Sequence, residues 1–247
     1  MPKAPKPKTV SSRTSPLKAP IQSLLAPLSK QPRAKDPKTS HLYTDDNPAT
    51  TIHGTGFKDL ATAKHTLEII SRRSLTYQFQ TVNTMYHRAA HHPSVRGGPT
   101  ASNANIREAM DVFRIWLDET YPNAKAALRV DGFKPLLGKG SVAKWLPVLH
   151  LEGDPDAKRF ADFYVALGKA KRLANVLVDD SKPTEADWEV KRYAALDALV
   201  PEGRESGATW TDAELWVDRE IGPRKPSELH SKMIAWAWSP LSEKKLK

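Results

Sequence analysis

The chain has 247 residues, 39% of them hydrophobic, which is enough for a packed core in one large or two small domains. It has no cysteine, which excludes disulfides, thiolate metal sites and cysteine catalysis. The net charge of +10 lies wholly in the first part of the chain: residues 1–110 carry 16 Lys+Arg against 6 Asp+Glu, whereas residues 111–247 carry 22 of each.

A basic arm on a near-neutral body favours polyanions, above all nucleic acid, with a solubilising or targeting tail as the alternative. No apolar run approaches the roughly 20 residues that cross a bilayer, and the first residues lack the apolar core of a secretory signal. The expectation is a soluble, intracellular protein with no membrane contact.

Residues 1–40 hold 8 of the 20 prolines and 9 Lys+Arg, with Asp36 the one acid and a short apolar patch at Ile21, Leu24, Leu25 and Leu28. Such a segment buries too little surface to offset its ordering entropy, so residues 1–50 are expected to be a disordered basic arm. Its opening PKAPKPK resembles a short lysine-type nuclear import signal, which points to the nucleus, with cytoplasm or mitochondrion as alternatives. Ser15-Pro16 has the form of a proline-directed phosphorylation site.

Residues 51–121 are expected to form a three-helix domain. Gly54 and Gly56 flank Thr55 and suggest a tight approach to the first helix; a phosphate loop would need a further glycine, a lysine and a preceding strand. Asp59 caps the first helix, which buries Leu60, Ala63, Leu67 and Ile70. Ser74 opens the second, which buries Leu75, Phe79, Val82, Met85 or Tyr86, and Ala89. After a loop at Gly97-Gly98-Pro99, Asn105 and Glu108 make a capping-box-like start to a third helix ending at Tyr121-Pro122, with Ala109, Phe113 and Trp116 inward.

Residues 122–247 are expected to be a further helical region that packs on the first domain or stands apart. It comprises a short helix near Ala124–Arg129 and another capped by Ser141. The longest helix of the chain is predicted from Pro155 to about Val178 with Asp154 as cap, and a fourth from Thr184 to Pro201. A capping box at Thr211 and Glu214 precedes a helix through Ile221, and Ser227 opens the last one. No stretch sustains period-two alternation, so the fold class is all-α.

The histidines carry the first chemical question. Five of eight lie between His53 and His92, and His87 and His91 share one helix face. A zinc site needs a third ligand, position 88 is Arg, and carboxylates between positions 51 and 110 are limited to Asp59, Glu68 and Glu108. The sequence therefore predicts no metal, no cofactor and no catalytic residue, with a metal-dependent enzyme using His87 and His91 as the weakest alternative.

The same residues suit a nucleic-acid surface: Arg72, Arg73, Gln78, His87, Arg88, His91, His92 and Arg96 are the candidate contacts to DNA or RNA. Among seven tryptophans, Trp236 and Trp238 stand two apart and cannot share a helix face, so one of them is expected to meet another segment or a protein partner. The expected function is that of a non-enzymatic nucleic-acid-associated or scaffold protein; the alternative is a structural partner-binding module whose tail serves localisation.

The pattern GTGF, then TL and II, then TYQFQTVNTMYHRAAHHP resembles a small helical domain of unknown function seen in uncharacterised eukaryotic and viral proteins. The resemblance covers about 40 residues and implies no activity.

Overall fold

Ten α-helices carry the described part of the chain. The computed structural model describes residues 52–169, 171–217 and 224–246; the expected arm, its import-like motif and the Ser15-Pro16 site lie outside them. The all-α expectation holds, with one small addition, a two-stranded antiparallel ribbon.

Helix α1 (Leu60–Ile69) starts where Asp59 accepts the Thr62 N–H, and α2 (Leu75–Ala90) starts where Ser74 accepts that of Tyr77. Ala63 of α1, Ile70 just after it, and Val82, Met85 and Ala89 of α2 are buried, whereas Leu60 is 37% exposed because it sits on the solvent side of the first turn. A single turn, α3 (Pro93–Arg96), leads to α4 (Ala104–Ile115), which packs on both α1 and α2. Ile52, Phe113 and Trp116 close this first core.

Two boundaries in this part differ from expectation. Asn105 lies inside α4, because the buried amide of Asn103 is spent on the preceding loop: it accepts from Thr100 N and donates to the carbonyls of Ser94 and Gly98. The helix begins directly after it. Nor does the chain stop at Tyr121-Pro122. A wide turn, Trp116–Thr120, opens the ladder so that Tyr121 N–H reaches the Trp116 carbonyl, and α5 (Tyr121–Ala127) follows with Pro122 in its first turn, where a missing N–H is tolerated.

The second core gathers α6 (Lys139–Trp145), α7 (Pro155–Ala166), α8 (Trp188–Leu199), α9 (Asp212–Leu215) and α10 (Glu228–Ala235). Asp154 caps α7 as expected, but the helix ends at Ala166 rather than Val178. Leu167 turns extended and the Lys139 ammonium closes on its carbonyl and that of Gly168. Val176 and Val178 then run extended and hydrogen-bond to Trp188 and Ala186, the geometry their branched side chains prefer.

Gly138, not Ser141, precedes α6, and Asp187, not Thr184, caps α8. The Thr211/Glu214 capping box is present, but α9 is four residues long and gives way to β1 (Trp216–Val217), which pairs with β2 (Lys225–Pro226); the remainder of the expected helix, residues 218–223, lies outside the described residues.

Both Trp236 and Trp238 are buried, 2% exposed each, so neither is a surface anchor for a partner. The chain leaves α10 at Trp236 and turns through Ala237 at φ 55°, which frees residues two apart to enter one core. Trp236 meets Phe160 at 4.7 Å and Trp238 meets Phe133 edge-on at 5.5 Å. Arg192, fully enclosed, ties down this corner by donating to the carbonyls of Trp236, Phe133 and Ala237. Burial lowers its pKa to about 10, which still leaves it charged at neutral pH.

Candidate nucleic-acid interface

The eight residues expected to meet nucleic acid divide between the two ends of α2, roughly 20 Å apart at 1.5 Å per residue. At the first end, Arg73 is 3% exposed and belongs to the junction between the cores. Its guanidinium donates to Asp187 Oδ2 at 3.2 Å and to the carbonyls of Pro183 and Ala174, and it stacks over Tyr77 at 3.9 Å. The same Asp187 carboxylate accepts Ser74 N–H at the start of α2 and the N–H groups of Glu189 and Val190 at the start of α8. One carboxylate thus serves the first turns of two helices from two cores, and a phosphate has no access to Arg73.

Arg72 is exposed but paired with Glu185, and Gln78 donates to the carbonyls of Ser71 and Arg73, closing the end of α1. Thr76 Oγ1 donates to Glu189 Oε1 at 2.5 Å, and burial raises the pKa of that carboxyl. These contacts make the first end of α2 a structural seam. The expectation that its arginines and glutamine face a ligand is corrected by their partners, which lie more than a hundred residues away for Arg72 and Arg73.

The other end of α2 differs. His87, Arg88, His91 and Arg96 are exposed and His92 is half-buried. Not one Asp or Glu occurs from residue 69 to residue 107, a stretch with five arginines and three histidines. The His91 ring donates from Nδ1 to the His87 carbonyl of its own helix at 2.8 Å, and the two rings stand 6.4 Å apart. Among the described residues no three His, Asp or Glu side chains converge as a metal site would require. The cations at this end also complement the negative end of the helix dipole, so their position is electrostatically favourable without a ligand.

This end adjoins the loop before α1, a contact that residue spacing does not show. Thr66 Oγ1 accepts Gly56 N–H at 2.8 Å and shares its one proton between the carbonyls of Thr62 and Gly56, folding the Gly54–Phe57 loop back over α1. Gly54 sits at φ 94°, a conformation that favours glycine. The loop delivers Phe57 beside α2, with His92 edge-on at 6.3 Å and the Arg88 guanidinium 5.9 Å from the ring centre. The GTGF string is the visible signal for a tight approach; what it approaches is set by the fold.

The chain matches no family model, no curated protein and no solved structure. Chemistry therefore has to be read from the sites themselves. A Ser–His pair that spacing did not reveal has His230 Nε2 2.9 Å from Ser239 Oγ and Nδ1 2.9 Å from the Leu215 carbonyl. The ring is buried against Trp216, and burial pushes its pKa down to about 4. So weak a base is a poor activator of a hydroxyl. The pair reads as a tie between α9, α10 and the segment after Trp238.

Proposed function

We propose that this protein binds polyanions, nucleic acid in the first place, without catalysis, through the surface formed by Phe57, Arg88, His91, His92 and Arg96 and through its basic arm. The observation that carries this reading is the absence of any carboxylate from residue 69 to residue 107, on a surface that exposes Arg88 and Arg96 together with His87 and His91. Exposed cations on elements without acids leave a positive potential that attracts phosphates. The lysines and arginines of residues 1–40 add to that charge, and the PKAPKPK opening fits nuclear import.

The test is a salt series on labelled nucleic acid with the full chain and with the triple variant Arg88→Gln, His91→Gln, Arg96→Gln. The expected outcome is weaker binding for the variant and a shallower slope of log affinity against log salt, because each phosphate contact removed takes about one ion from the slope. Equal affinity and equal slope in both proteins reject the surface.

A further inference from the structure

Where the two cores meet, a half-open cleft of about 660 Å³ lies between α5 and α8 and ends against the corner of α1 and α2. That volume is in the range that holds a small organic molecule, and gaps between packed helices are among the places where such sites form. One wall is Ala124, Ala127 and Leu128, from α5 and the residue after it; the other is Val190, Tyr193 and Ala194 of α8. No residue of α5 is buried, and Leu128 is 43% exposed, so an apolar face stands open to the cleft.

Charge distinguishes its two ends. At the corner of α1 and α2, Arg72 is paired with Glu185 and Arg73 is enclosed with Asp187, so the charges lining that end are balanced. At the other end, Arg129 serves two carboxylates, Asp197 at 2.6 Å and Glu205 at 2.7 Å, which leaves one negative charge over. Both Nε and Nη2 of Arg129 bind Asp197 at Oδ1, so Oδ2 of this cleft-lining residue keeps its capacity to accept. The last turn of α8 holds no basic residue of its own, and its dipole adds to the negative potential there. Lys125 of α5 is held by Asp131 at 2.9 Å, and Tyr193 stays neutral because burial pushes its phenol up to about 12.

We propose that this cleft binds a lipophilic amine, with its apolar body between α5 and α8 and its ammonium group on Asp197. Both arginines of the lining, Arg72 and Arg73, already hold carboxylates, which disfavours an anionic head. Val190 and Asp197 stand two turns apart on α8, about 10 Å at 1.5 Å per residue, which suits an aromatic ring joined to an amine by a short alkyl chain. The site prefers the charge opposite to that of the polyanion surface, and it stands independently of that reading.

The experiment titrates the full chain calorimetrically with phenylbutylamine, phenylbutanol and phenylbutyrate, which share one body and differ in the head group. Wild type is expected to bind the amine roughly tenfold more tightly than the alcohol, as a charge-assisted hydrogen bond allows, and the carboxylate least. Asp197→Asn keeps an oxygen for Arg129 and should bring amine affinity down to that of the alcohol, with the alcohol unchanged. Ala127→Trp places a bulky ring at an exposed position of the wall and should block the amine and the alcohol alike, with thermal unfolding as in wild type. No binding of the amine by wild type, amine binding no tighter than that of the alcohol, unchanged amine affinity in Asp197→Asn, or wild-type amine affinity in Ala127→Trp would each overturn the assignment. Nucleic-acid binding across a salt series, expected to be the same in both variants as in wild type, keeps this outcome separate from that of the polyanion reading.

Discussion

The rim of the second core and the far end of α2 differ in the acids that stand beside their cations. Around the second core, four cations are paired with carboxylates: Arg129 with Asp197 and Glu205, Arg204 with Glu214, Arg224 with Asp212 and Lys232 with Glu228. In the first core, the far end of α2 and the whole of α3 carry arginines and histidines and not one carboxylate of their own. Exposed ion pairs contribute little to stability, but they cancel the field that a phosphate would sense. Residues 111–247 balance part of their charge by such pairs, whereas the far end of α2 and α3 hold cations with no acid in their own elements.

The largest effect is expected at the seam that joins the cores. Asp187→Ala leaves the enclosed guanidinium of Arg73 without its counter-charge and strips the first turns of α2 and α8 of an acceptor, so unfolding free energy should fall by about 3–5 kcal/mol. Denaturant unfolding measures it, and Asp187→Ala combined with Arg73→Met should recover a large part, since the stranded charge is then gone. A loss below about 1 kcal/mol in the single variant would mean that the seam does not hold the two cores together.

The second core should also carry an acid sensitivity at its buried His230. His230 has a folded pKa of about 4 against an ordinary value of 6.5, so the unfolded chain takes up a proton that the folded one refuses. Stability from this group is complete above about pH 6.5, declines as pH falls and levels off below about pH 4, for a total of about 3 kcal/mol. His230→Gln should flatten that part of a stability-versus-pH curve measured by denaturant unfolding.

Smaller and more local is Thr66→Val, which removes the hydroxyl holding the Gly54–Phe57 loop. It should cost about 1–2 kcal/mol and speed amide exchange at Gly56 while amides in α8 stay protected. Smallest in stability is Arg96→Gln, expected within about 0.5 kcal/mol of wild type by thermal unfolding, because its side chain is exposed; its effect should fall on polyanion affinity alone.

Much of the first core was legible in the chain. The Asp59 and Ser74 caps and the inward face of Ala63, Ile70, Val82, Met85 and Ala89 follow from local hydrogen bonding and helical period, both of which operate within a few residues. The candidate surface was legible only in part. His87, Arg88, His91 and Arg96 are exposed where composition placed them, but Arg73 and Gln78 look the same in sequence and serve the structure.

Amino-acid order alone determined the all-α class, the caps at Asp59, Ser74, Asp154, Thr211 and Ser227, and the asymmetry of charge, because each depends on neighbours along the chain or on simple summation. Tertiary structure decided where α7 ends, that Trp236 and Trp238 enter one core, that Asp187 joins two helices and that Phe57 lies against Arg88. Each of those depends on a partner far along the chain: Lys139 for the end of α7, Phe133 and Phe160 for the two tryptophans, Arg73 for Asp187. A carboxylate's choice between capping its own helix and neutralising a distant guanidinium is made only when burial brings the two together and makes an unpaired charge costly.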